Sequence, residues 1–141
     1  MKKALLVCLA ASFLACSAPN LEQTAAWMDS QQKEAPGIDV SGNWESASGF
    51  MTGGWGYGSF SQSGAKVIGS LGMYSLEGRV SGKRLYATIS SGSRVYYLAV
   101  MEPDAAGALS GIATRKAFPD SPEAKSAEKC PIILVRRKAA P

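Results

Sequence analysis

This chain of 141 residues contains no histidine. That absence removes the usual general base of Ser–His and Cys–His nucleophiles, and the commonest metal ligand with it. Cysteine is scarce: Cys8, Cys16 and Cys130 are all there is, too few for a Cys-rich metal site. A strong excess of either charge is missing as well. Fifteen Lys and Arg stand against 11 Asp and Glu, an imbalance too modest to point to nucleic acid. A long apolar run is missing near the start, where the uncharged stretch 4–15 is 12 residues; a helix crossing a bilayer needs about 20.

What remains for catalysis is thin. The pattern S-x-x-K occurs at Ser30/Lys33, Ser63/Lys66 and Ser126/Lys129. Three matches in a short chain show how easily it arises by chance, and the partner motifs S-D-N and K-T-G are absent. A carboxylate pair such as Glu45 with Glu77 has no spacing that singles it out. The glycines near Trp55 are not followed by the Lys-Ser/Thr of a phosphate loop. The expectation is therefore a non-enzyme with no catalytic residue, no metal and no cofactor.

The N-terminus carries more information. Lys2 and Lys3 precede the uncharged run, and Ala15 precedes Cys16. A basic start, a short apolar core and a small residue before a cut site describe a secretory signal. Pro19 argues against a cut after Ala18, whereas a cut after Ala15 leaves Cys16 first. Phe13-Leu14-Ala15-Cys16 resembles the lipobox of bacterial lipoproteins, with Ala15 and Cys16 matching the motif and Phe13 and Leu14 apolar but not its commonest residues. The resemblance implies a signal peptide over 1–15 and acylation of Cys16 with chains such as palmitate. Ser17 in place of Asp implies the outer membrane, facing the periplasm, as the destination. The alternative is a signal peptide whose Cys lies near the cut by accident. One acyl chain holds only weakly at about 0.8 kcal/mol per buried methylene, but several together hold firmly. With Cys8 removed and Cys16 acylated, Cys130 has no internal disulfide partner. It then serves as a small buried hydrophobe at a strand start, or pairs with another molecule.

Residues 16–37 are expected to form a lipidated N-terminus and tether. Asn20 and Gln23 read as a capping box, Leu21, Ala25 and Met28 recur at helical spacing, and Pro36-Gly37 ends the run. A short helix over about 21–33 follows. It is either a partly helical spacer, or an element whose Trp27 and Met28 dock on the domain or at the lipid surface.

Composition changes at Gly37, and the remaining 38–141, about 100 residues, suffice for one core. Leu76, Gly78 and Val80 alternate with Ser75, Glu77, Arg79 and Ser81; Leu85, Ala87 and Ile89 alternate with Arg84, Tyr86, Thr88 and Ser90. Period two means strands with one wet face. Ser63-Gly64, Ser81-Gly82 and Ser91-Gly92-Ser93 supply turns. Eight strands are predicted near 39–45, 54–62, 65–72, 74–81, 84–90, 94–102, 107–115 and 131–137. Ser121-Pro122-Glu123 predicts a helical turn before the last strand. Short connections make an antiparallel meander, and pairing the last strand with the first closes it into an all-β barrel. Gly69, Gly78 and Gly111 each lie between apolar residues, where glycine permits tight coiling.

Gly42-Asn43-Trp44 resembles the G-x-W on the first strand of lipocalins, a phrase shared by avidin-like barrels. The resemblance implies an eight-stranded barrel with Trp44 plugging one end. Trp55 and Tyr57 share a strand face by alternation, as core residues or as stacking surface for a flat ligand. Tyr96 and Tyr97 fall on opposite faces. Trp44, Trp55, Tyr57 and Tyr96 are thus the candidate ligand-binding residues. Arg115-Lys116 and Arg136-Arg137-Lys138 are candidates for anionic lipid or lipopolysaccharide head groups, or else solvated ends that discourage edge pairing. The leading functional expectation is a membrane-anchored lipoprotein with a non-catalytic binding or interaction barrel. Its partners are the membrane, through Cys16, and an envelope protein or a small apolar ligand. The alternatives are a lipocalin-like carrier and a structural envelope component.

Overall fold

The computed structural model describes residues 18–47 and 54–138. The expected signal segment 1–15, the expected lipidation site Cys16 and the segment 48–53 lie outside them. Helix α1, Leu21–Gln31, is followed by eight strands: β1 Gly42–Ser46, β2 Tyr57–Ser63, β3 Lys66–Leu71, β4 Tyr74–Ser81, β5 Arg84–Ser91, β6 Arg94–Pro103, β7 Leu109–Arg115 and β8 Lys129–Arg136. Consecutive strands pair antiparallel, and β1 pairs with β8 to complete a closed barrel. The expected all-β meander is therefore the observed fold. A 3-10 turn at Pro122–Lys125 opens with Pro at its start, as Ser121-Pro122 predicted.

Alternation decides which side chains face inward. Leu76 and Val80 of β4, with Leu85, Ala87 and Ile89 of β5, are buried and join Val67, Leu71, Ala99, Met101, Leu109, Ala113, Ile132 and Leu134 in one core. Glycines let the strands coil around it. A Cβ on Gly69 would lie 2.1 Å from the Ser59 carbonyl oxygen, and one on Gly111 1.8 Å from that of Val100. No side chain fits there without moving a neighbouring strand.

The two ends of the barrel differ. One end holds the β2–β3, β4–β5 and β6–β7 turns, and residues 36–41 cross it. This crossing explains why β1 starts at Gly42 rather than near 39. Gly37 N–H donates to the Gly82 carbonyl at 2.7 Å. Val40 N–H donates to Gln62 Oε1 at 2.8 Å, and Gln62 Nε2 donates to the Ile38 carbonyl at 2.9 Å. Val40 is 1 % exposed and sits in the core. Trp44 Nε1 donates to the Val40 carbonyl at 2.9 Å. Arg136 lies 4.3 Å from the Trp44 ring centroid and donates to the carbonyls of Ser41 and Asp39. Arg136, though exposed, thus clamps this closed end. The opposite end holds the β3–β4 and β5–β6 turns; the long connection from β7 to β8 also leaves from it but packs back along the wall, with Phe118 against Trp27 and Gln31 Nε2 3.5 Å from Asp120 Oδ2.

Helix α1 lies on the outside, across β4, β5 and β6. Its capping box forms as expected: Gln23 N–H donates to Asn20 Oδ1 and Asn20 N–H donates to Gln23 Oε1. Trp27 and Met28 are buried against Tyr86, Val95, Leu98, Val100 and Phe118. Trp27 meets Tyr86 edge-on at 5.9 Å. Thr88 Oγ1 lies 3.6 Å from Met28 Sδ, and Asp29 pairs with Arg79 at 3.1 Å. Of the two expectations for this segment, docking on the domain is the one the structure supports. The helix also explains why Thr88 is buried although alternation places it on the wet face. It ends at Gln31 rather than near 33.

Two stability outcomes follow. Gly111→Ala should cost about 2 kcal/mol or more through overpacking. Gly92→Ala, whose Cβ would meet nothing within 4 Å, should cost only about 1 kcal/mol from its left-handed backbone. Equal urea midpoints for the two would show that the Gly111 contact is not tight. Met28→Ala should lose about 2–4 kcal/mol, whereas Leu21→Ala, at a side chain 42 % exposed, should lose about 0.5 kcal/mol or less. Similar small losses at both positions in urea unfolding would mean that the helix is only a spacer.

Candidate functional site: the aromatic end of the barrel

The end opposite the 36–41 crossing gathers four half-buried aromatic side chains, each delivered by a different device. Tyr74 follows the β3–β4 turn and begins β4. Tyr97 points inward from β6, in register with Arg115 of β7. Tyr96 reaches the same place through an irregularity. The β5–β6 register pairs Ile89 with Tyr97 but Ser90 with Val95, so Tyr96 is an extra, unpaired residue. Such a bulge re-aims a side chain. Both tyrosines therefore approach Tyr74, at 5.5 Å for Tyr96 and 6.2 Å for Tyr97 between ring centroids. The expectation that they occupy opposite faces fails for this reason. Tyr96 also accepts a backbone bond from Lys116 N–H at 3.0 Å, and Lys116 holds a left-handed φ of 52° to make it.

Trp55 arrives from the connection before β2. Gly56 has φ 81°, and this turn breaks the alternation between Trp55 and Tyr57. Trp55 folds over the end of the barrel and packs edge-on against Tyr97 at 4.9 Å, with Tyr74 at 6.5 Å. Its Nε1 donates to the Pro131 carbonyl at 3.0 Å. Tyr57 instead points outward, 59 % exposed, with the Arg137 guanidinium 4.5 Å from its ring centroid. The expected strand near 54 accordingly begins at Tyr57, and the two aromatics do not share a face.

Of the four expected binding residues, the structure thus brings Trp55 and Tyr96 together. Trp44 is 2 % exposed, within the core and tied to the closed end, and Tyr57 is on the outer wall. Sequence reasoning missed Tyr74 and Tyr97 as partners. The turn residues Gly72-Met73 before Tyr74 were a usable signal; the bulge at Tyr96 left none. The catalytic pairs considered from sequence also resolve. Ser63 and Lys66 face each other across the β2–β3 turn, not at a helix start. Glu45 and Glu77 stand on β1 and β4, three strand spacings or roughly 14 Å apart around the wall.

Cys130, near the start of β8, borders the cluster as a half-buried free thiol. It is less enclosed than a core hydrophobe. Burial, then the Glu128 carboxylate, pushes its thiol above the ordinary value, with Tyr97 acting in the opposite sense. Burial likewise raises the Tyr97 hydroxyl, and the neighbouring Cys130 and Tyr74 add to that shift. Both groups therefore stay neutral at physiological pH. Arg115 and Glu128 pair at 3.2 Å beyond them, largely in solvent, a contact that contributes little to stability. The arrangement offers aromatic faces and hydroxyl edges, suited to stacking and to interfaces between apolar and wet phases. No known protein family matches this chain, and neither a curated protein nor a solved structure is similar to it.

The raised Tyr97 hydroxyl sets a pH dependence. Below the ordinary tyrosine value of 10.0 both folded and unfolded forms keep the proton, and stability is unaffected. Above it the unfolded chain ionises first, so stability falls as pH rises toward the folded value. Cys130 acts with the same sign from 9.0 upward. Urea midpoints measured from neutral to alkaline pH should decline less steeply in Tyr97→Phe. Parallel declines would contradict the assignment.

Proposed function

We propose that this protein is a bacterial lipoprotein held at the periplasmic face of the outer membrane by acyl chains on Cys16, and that its barrel is a non-catalytic module that binds through its aromatic end. The observation that carries the binding reading is the gathering of Trp55, Tyr74, Tyr96 and Tyr97 at one rim of the barrel, while residues 36–41 cross the other. The anchoring reading rests on Lys2-Lys3, the uncharged run and the Ala15-Cys16 junction.

A carrier that encloses its ligand has less support. An eight-stranded barrel has an interior only wide enough for its side chains or one small ligand. Here Leu71, Leu76, Leu85, Met101, Leu109, Ile132 and Leu134 point into it at 0–1 % exposure. A ligand would meet the rim, not the middle.

Intact mass and membrane partition of the protein from its native envelope, beside Cys16→Ala, test the anchoring. The expected outcome is a wild-type chain beginning at Cys16, heavier by its acyl groups and recovered with membranes, and an unacylated mutant that is not so recovered. A wild-type protein that is soluble and unacylated would sink the lipoprotein reading and leave a diffusible barrel.

A further inference from the structure

We infer that the aromatic end of the barrel rests on the same bilayer that holds the Cys16 acyl chains, so that the partner of this rim is the lipid interface itself. The inference rests on the anchoring proposed above. What it adds is an orientation, and the orientation comes from the helix.

The direction of α1 follows from its contacts. Just beyond its C-terminus, Lys33 and Glu34 donate backbone N–H bonds to Ser81 Oγ, at the β4–β5 turn of the closed end. Earlier in the helix, Met28 meets Thr88, midway along β5. Continuing from Met28 to Leu21 at 1.5 Å per residue moves the helix about 10 Å further. That matches the roughly 10 Å from Thr88 to Ser91 along the strand. The N-terminus of α1 therefore lies level with the β5–β6 turn, at the aromatic end. Burial of Trp27 and Met28 and the Asp29–Arg79 pair hold it there.

The distance from Cys16 to this point is short. Leu21 is five positions beyond Cys16, a span of at most about 17 Å when fully extended. β4 alone, with 8 residues, runs about 26 Å. A lipid on Cys16 thus keeps the aromatic end near the head groups, and the closed end stands about a barrel length further away.

The chemistry of that end fits a bilayer interface. Met73 at the tip of the β3–β4 turn is 94 % exposed, beside half-buried Trp55, Tyr74 and Tyr96. Aromatic rings of this kind settle at the head-group level. Arg94 and Lys116 are exposed at the same end, and a cation near an anionic surface contributes about 1 kcal/mol. Glu128 is exposed there too, paired with Arg115, and the turns of the closed end likewise carry both signs, with Lys66, Lys83, Glu34, Asp39 and Asp104 exposed; the aromatic side chains and Met73, not net charge, distinguish the two ends.

The test uses full-length acylated protein in phosphatidylethanolamine–phosphatidylglycerol vesicles that include nitroxide-headgroup lipid. In a Cys130→Ser background, a fluorophore is attached at Met73→Cys or at Lys83→Cys, both exposed turn positions. Mass spectrometry of the same samples records the acyl groups. The expected result is quenching about threefold or more greater at Met73, because interfacial contact reaches only about 5–10 Å deep. Equal quenching at the two positions, or stronger quenching at Lys83, in protein that carries acyl mass overturns the orientation and leaves the anchoring intact. Absence of acyl mass defeats the anchoring, and the orientation falls with it.

Discussion

Closure of the barrel at the seam between its first and last strands is the contact on which the rest of the structure depends. The seam is short: Trp44 with Arg136, Glu45 with Val135 and Ser46 with Leu134. Side chains reinforce it. The Trp44 indole is buried beside Phe60, carries the Arg136 guanidinium on its face, and donates to Val40. Arg136 in turn binds the carbonyls of Asp39 and Ser41. One cation–aromatic contact thereby joins β1, β8 and the segment that crosses the closed end. Without the seam, both strands would present unpaired edges.

Residues 36–41 cross one end, and the aromatic side chains gather at the other. Tyr74 and Tyr97 follow the inward alternation of their strands, whereas Tyr96 arrives by a bulge and Trp55 by a glycine with positive φ. Irregular backbone of this kind costs stability, and it persists where the surrounding barrel fixes it. The rim is also where the only ionisable groups with burial-raised values, Tyr97 and Cys130, are found among the described residues. The helix outside the barrel links this end to the N-terminal segment. It turns what would be a loose tether into a fixed strut.

Much of the fold was legible in the sequence, because strand alternation and turn chemistry are local. Leu85, Ala87 and Ile89 read as an inward row and are one. The Asn20–Gln23 capping box read as a helix start and is one. The candidate site was only half legible. Trp55 and Tyr57 are two residues apart, so alternation placed them together, until the φ of Gly56 separated them. Tyr96 and Tyr97 are adjacent, so alternation placed them apart, until the bulge brought both to Tyr74. Each failure came from a backbone departure of one residue, which leaves no periodic trace.

The sequence by itself determined the class of fold, the positions of most strands and turns, and the absence of histidine chemistry, since these depend on composition and on neighbours in the chain. Only the tertiary structure decided which end of the barrel is sealed, that Trp27 and Met28 bury against its wall, and which aromatics meet at the rim. Those outcomes depend on contacts between residues far apart in the chain, such as Val40 with Gln62 or Met28 with Thr88. Such contacts come into being only when closure of the sheet brings the strands into register.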